Sequence, residues 1–138
     1  MIAYVDASVV LRLVLGEPGA LAEWRHVVRA LASTLTEVEC LRTLDRLVRR
    51  GMLPESQVAE RRAAVFRLLE ECEVIDLSRT IMRRAGEPFP TPLGTLDAMH
   101  LVCALAWREA SGEPLVLATH DRELATAARA MGLVVIGA

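Results

Sequence analysis

Short apolar runs alternate along this chain with longer stretches in which apolar residues recur every three or four positions. The first run, Ile2-Ala3-Tyr4-Val5, has the length and composition of a buried strand and stops at Asp6. Ser8 stands where a helix N-cap belongs, and an apolar helical pattern follows to Leu15 before Gly16-Glu17-Pro18-Gly19 breaks it. Leu21, Trp24, Val27 and Val28 are spaced for a second helix over about 20–29, and residues 30–35 read as a second strand. Thr36 caps a third helix, with Glu39 at capping-box spacing. That helix runs to Arg50; Gly51 ends it and Pro54 opens a fourth helix, over 54–71. CEVIDL, at 72–77, reads as a third strand, and Ser78 caps a fifth helix that stops at Gly86. EPFPTPLG, at 87–94, is stiff and irregular because prolines alternate in it. A sixth helix covers about 95–110, with Leu96, Met99, Cys103 and Trp107 along one face. Residues 115–118 form a fourth strand, Asp121 caps a seventh helix over 122–131, and 133–136 form the last strand.

Strands alternating with helices make a mostly parallel sheet with helices on both faces. In that architecture the strand C-termini share one edge with the N-termini of the helices that run back. Asp6 ends the first strand. Glu39 lies near the start of the helix after the second strand, Asp97 near the start of the helix before the fourth, and Asp121 just after the fourth. Topology alone therefore gathers four acids at one edge, the edge where open α/β sheets bind ligands.

Composition narrows the field. The 138 residues argue for one domain, 1–138, with a real core. No apolar run is long enough to span a membrane, and the N-terminus lacks a signal-like basic region, so a cytoplasmic protein without membrane contact is expected. Cys40, Cys72 and Cys103 are far apart in apolar surroundings, which suits buried thiols rather than disulfides or zinc. Every basic residue is Arg, so P-loop, Schiff-base and phospho-receiver chemistry, each of which uses a lysine, is excluded. Net charge is −2, but hydrophobic residues make up 53% of the chain and the mean hydropathy is +0.33. That excess points to apolar surface covered by a partner.

Each acid alone would serve as a helix cap or dipole partner. Four together repel one another and destabilise the fold unless a cation compensates them. Oxygen-only ligands suit Mg²⁺ or Mn²⁺, and such a cation supports phosphodiester hydrolysis.

Four segments, YVDASVVLRL, LTEVECLRTL, TPLGTLDAMHLVCAL and LATHDRELATAARAMGLVVI, span nearly the whole chain. In order and spacing they resemble the PIN-domain ribonucleases, specifically the VapC-type toxins of VapBC toxin–antitoxin pairs. The resemblance implies a three-layer α/β/α sandwich with a five-stranded parallel sheet of order 3-2-1-4-5. It also implies a Mg²⁺- or Mn²⁺-dependent endoribonuclease acting on single-stranded or loop RNA, a small VapB-like antitoxin and a homodimer. The catalytic acids fall on Asp6, Glu39, Asp97 and Asp121, with Asp6 and Asp97 as metal ligands and Ser8 and Thr119 as auxiliary hydroxyls. Glu37 is a nearby rival to Glu39, and Gly94 stands where family members often carry a basic residue. The alternative from another class is an inactive PIN-like module that only binds RNA or protein.

Two further expectations concern the surroundings. His100 reads as a packing histidine hydrogen-bonded inside the domain, and His120 as a rim residue. On the third helix Glu39, Arg42, Arg46 and Arg49 share a face. The arginines are candidates for RNA phosphate, with a solvated face balanced by Asp45 and Glu37 as the plainer reading. Val38, Leu41, Leu44 and Val48 are expected to face the sheet.

Overall fold

The computed structural model describes residues 1–138. In chain order it comprises β1 (Ile2–Val5), α1 (Ala7–Leu15), β2 (Arg29–Ser33), α2 (Thr34–Arg49), α3 (Glu55–Glu70), β3 (Glu73–Ile75), α4 (Arg79–Ala85), α5 (Thr95–Ser111), β4 (Val116–Ala118), α6 (Arg122–Ala130) and β5 (Val134–Ile136). All strand pairs are parallel and the order is β3-β2-β1-β4-β5. The expected sandwich topology is thus the observed one.

Strand alternation sorts the core into two layers. Ala3 and Val5 of β1, Ala32 of β2 and Ala118 of β4 face α1, α2 and α3, meeting Val9, Val10, Cys40, Leu44 and Val65. Tyr4, Leu31 and Leu117 point the other way, into Leu101, Leu105, Leu124 and Ala128 of α5 and α6.

Strand order runs outward from β1 in both directions, so it reverses between β1 and β4. That switch point is the ligand-binding crevice of open α/β sheets, and Asp6 and Thr119 are the residues immediately beyond those two strands.

Four expectations are corrected. The helix expected over 20–29 is a single 3₁₀ turn, Ala22–His26. Its would-be last turn is claimed by the sheet: Val28 N–H donates to Met1 O, and Arg29 registers against Ile2. Residues 34 and 35 belong to α2 rather than the second strand, because Ser33 is the N-cap and the Thr36 hydroxyl accepts the Ser33 N–H at 3.1 Å. Asp6, not Ser8, caps α1, accepting from Val9 N at 3.2 Å. Val38 does not face the sheet but is 56% exposed; α2 buries Leu35, Thr36, Cys40 and Leu44.

Beyond β5, Gly137 adopts φ +95, and a Cβ there would lie 2.6 Å from the Thr119 carbonyl oxygen. Only glycine fits this approach.

Candidate acidic site at the switch point

Asp6 is 4% exposed, and its carboxylate is tied down on both oxygens. Oδ1 accepts from the Ser8 hydroxyl at 2.6 Å and from Val9 N. Oδ2 accepts from the Thr119 hydroxyl at 2.5 Å. The two hydroxyls play the same part from opposite sides. Ser8 Oγ accepts the His120 N–H at 2.9 Å, and Thr119 Oγ1 accepts the Asp121 N–H at 2.9 Å. The β4–α6 turn is thereby bound to Asp6 through two hydroxyl bridges. A carboxylate has about four acceptor positions; three are filled, and one remains on Oδ2.

Asp121 caps α6, its Oδ1 accepting from Leu124 N at 2.8 Å. Asp97, in the first turn of α5, has its carboxyl pushed up to about 6. Burial is the largest cause, followed by the negative charge of Asp121 and then of Asp6 and Glu39, with His100 acting the other way. Asp97 therefore sits in the combined field of the other three acids.

Glu39 reaches the same edge from α2. Its Oε1 lies 2.7 Å from His100 Nε2, and His100 Nδ1 lies 2.7 Å from the Tyr4 hydroxyl. An ionised Glu39 can only accept, so Nε2 carries a proton. In the neutral ring Nδ1 then accepts from Tyr4, which is held protonated because burial pushes its phenol well up. The chain Tyr4–His100–Glu39 links β1, α5 and α2, with Tyr4 and His100 fully enclosed. Glu37 turns elsewhere, onto a groove with Phe66 and Cys72, so the geometry favours Glu39 over its rival. Glu39, one and a half turns into α2, belongs to no capping box.

The structure thus brings Asp6, Ser8, Glu39, Asp97, Thr119 and Asp121 to one place. Sequence reasoning missed the support beneath: Tyr4 reads only as a strand residue, and nothing local announces that its hydroxyl anchors His100. The arginine row lies outside the cluster. Arg42 and Arg49 both pair with Asp45, at 3.2 and 3.1 Å, and Arg46 donates to the Thr43 hydroxyl at 2.9 Å. The thiols are pushed up by burial, Cys40 to about 12 and Cys72 and Cys103 to about 11, which leaves them unreactive.

No three His, Cys, Asp or Glu side chains stand close enough to form a metal cage by themselves. An all-carboxylate donor set suits a hard, oxygen-seeking cation, and Asp6 keeps one open acceptor position.

The PIN domain family model matches residues 3–130. The chain belongs to the PIN-domain family. This PIN domain is 29% identical over 136 residues to Ribonuclease VapC46 of Mycobacterium tuberculosis, a match covering 96% of this chain and 95% of that one. Among solved structures it is similar to VapBC2 from Rickettsia felis bound to a promoter DNA fragment, with TM-score 0.68 and 14% identity over 98% and 97% of the two chains. It is likewise similar to VapC20 of Mycobacterium tuberculosis, a sarcin–ricin-loop-cleaving toxin, with TM-score 0.60 and 18% identity over 91% and 94%. At such identities the structures speak for the fold of the PIN domain, and they agree with the strand order found here. No helix is long and apolar enough to cross a membrane.

Proposed function

We propose that this PIN domain is a Mg²⁺- or Mn²⁺-dependent endoribonuclease of the VapC type, hydrolysing phosphodiester bonds in single-stranded or loop RNA as the toxin of a toxin–antitoxin pair. The observation that carries the reading is the meeting of Asp6, Glu39, Asp97 and Asp121 at the β1/β4 switch point, where Asp97 feels the charge of the other three. The likeness to a named VapC ribonuclease and to VapBC complexes supports it. Asp6 and Asp97 would hold the cation, which would supply activation of water and neutralisation of charge on the phosphate. Ser8 and Thr119 fix the Asp6 carboxylate, leaving one acceptor position for that purpose. His100 fixes Glu39, and Asp121 adds negative charge from the α6 cap.

The partners follow from the same reading. A small VapB-like antitoxin covers the acidic edge with a basic side chain, and two copies of the chain form a homodimer.

The test is cleavage of unstructured RNA by the purified protein. Cleavage is expected with Mg²⁺ or Mn²⁺ and is abolished by chelator. Asp6→Asn and Asp97→Asn each lower turnover by several orders of magnitude while leaving the fold intact. Full activity in excess EDTA overturns metal dependence. Metal-independent RNA binding without cleavage by wild type points instead to the inactive binding module.

A further inference from the structure

A cavity of about 370 Å³ opens between the end of α4, the proline-rich segment and the first turn of α5. Its volume is in the range of small-molecule sites, which are mainly apolar with a few polar groups to orient the ligand. Met82, Phe89, Leu93 and Met99 line it, and Glu87 is the one charged side chain on its wall. Thr95 and Ala98, also on the wall, bracket Asp97 on α5. Of the four acids only Asp97 belongs to this turn of α5, and its side chain is not on the pocket wall, so the pocket opens on the other side of the helix start from the acids.

We propose that this cavity is a nucleobase subsite selecting guanine in the RNA strand that lies across the acids. The inference rests on the ribonuclease reading and deepens it. Proteins read single-stranded RNA by splaying out a base, stacking it on an aromatic face and hydrogen-bonding its edge. The other aromatic rings are committed or placed elsewhere. Tyr4 is buried beneath His100, Trp24 packs on the α1 side of the core, and Trp107 is covered by the Arg29 guanidinium and bonded to Glu73. Phe66 belongs to α3, which packs on α1 and α2 rather than on α5. Phe89 alone combines a ring, a cavity and a place on the segment that leads into the α5 turn carrying Asp97. The methionine thioethers add polarizable contacts to a base.

Glu87 sets the choice among bases. A carboxylate only accepts. Guanine offers it two adjacent donors, N1–H and the 2-amino group. Adenine and cytosine present one amino group beside an acceptor, and uracil presents one N–H between two acceptors. Three prolines in residues 87–94 hold Glu87 and Phe89 on a stiff backbone, so the pocket is set before RNA arrives.

The experiment uses the full chain labelled at methionine methyl groups and titrated with the four nucleoside 5′-monophosphates. Their shared phosphate cancels in the comparison. The guanine nucleotide is expected to move the Met82 and Met99 signals, leave Met52 and Met131 in place, and bind at least about tenfold more tightly than the other three, as one well-made bidentate contact provides. Glu87→Gln, an exposed and isosteric change, is expected to bring the four within about twofold. Equal shifts from all four, or an unchanged guanine preference in Glu87→Gln, overturns the proposal. So do concentration-dependent Met82 and Met99 shifts without nucleotide, which would assign the pocket to a second copy of the chain. In a random RNA pool, wild type should cut beside guanine, and Glu87→Gln should cut with that preference flattened. Absence of any cleavage defeats the ribonuclease reading, while the titration still reads the pocket.

Discussion

Thr119 donates to Asp6 while accepting the Asp121 N–H, so one buried hydroxyl holds two site residues in register. Thr119→Val keeps the shape and removes both bonds. It should cost about 2 kcal/mol in urea denaturation, the scale for stranding buried polar groups, and lower turnover; Thr119→Ser should recover most of both. Asp97 carries the pH dependence. Its folded value of about 6 exceeds its ordinary 3.8, so the folded state favours the protonated form. The stability it contributes is complete below about pH 4 and is lost as pH rises through 6. In metal-free protein Asp97→Asn should therefore match wild type near pH 4 and exceed it at pH 7, by on the order of 1 kcal/mol after allowing for solvent screening. Added Mg²⁺ should stabilise wild type and leave Asp97→Asn unmoved; an equal gain in both places the cation elsewhere. Asp6, Asp97 and Asp121 were legible in the sequence because each lies at the end of an element that topology fixes, and Glu39 because it sits early on the helix that runs back from β2. The Tyr4–His100–Glu39 chain was not, since it joins residues 96 and 61 positions apart that no local pattern couples.

At the scale of elements, what a sequence window reveals depends on whether the element is stabilised locally. β1, α5 and α6 carry their signals in their own residues: an apolar run, a long periodic stretch, an aspartate cap. The stretch 20–29 has helical spacing too, but its last residues gain more by pairing with β1 than by one further turn, and that competition is invisible until the strands are placed. α2 shows the same limit in register. With Val38 exposed and Leu44 buried, Leu44→Ala should destabilise by about 2–5 kcal/mol, whereas Val38→Ala should change little. The arginine row on α2 remains a proposed phosphate track. Arg46, free of carboxylate partners, is its best member, because Arg42 and Arg49 already share Asp45 as a partner. In an Asp97→Asn background, which blocks cleavage, Arg46→Ala should reduce the slope of log affinity against log salt by about 0.7. An unchanged slope moves the RNA path off α2.

For the whole molecule, the proposed toxin should arrest growth when expressed without its antitoxin, and Asp6→Ala should relieve the arrest. Light scattering at micromolar concentration should give the mass of a dimer; a monodisperse monomer refutes that part. The close approach of Gly137 to Thr119 carries a further consequence for genetics. In a selection for cells that survive expression of the full-length chain, the acids supply the expected escape alleles, but position 137 should supply them as well. Any side chain there must displace the backbone carbonyl of Thr119, the residue whose side-chain hydroxyl positions Asp6. Survivors carrying Gly137→Ala, Gly137→Ser or Gly137→Asp should accumulate intact protein without toxicity. Their defect would map in sequence 131 residues from Asp6, yet arise next to it, and a Gly137→Ala chain as lethal as wild type would show that the β4–α6 turn yields without cost.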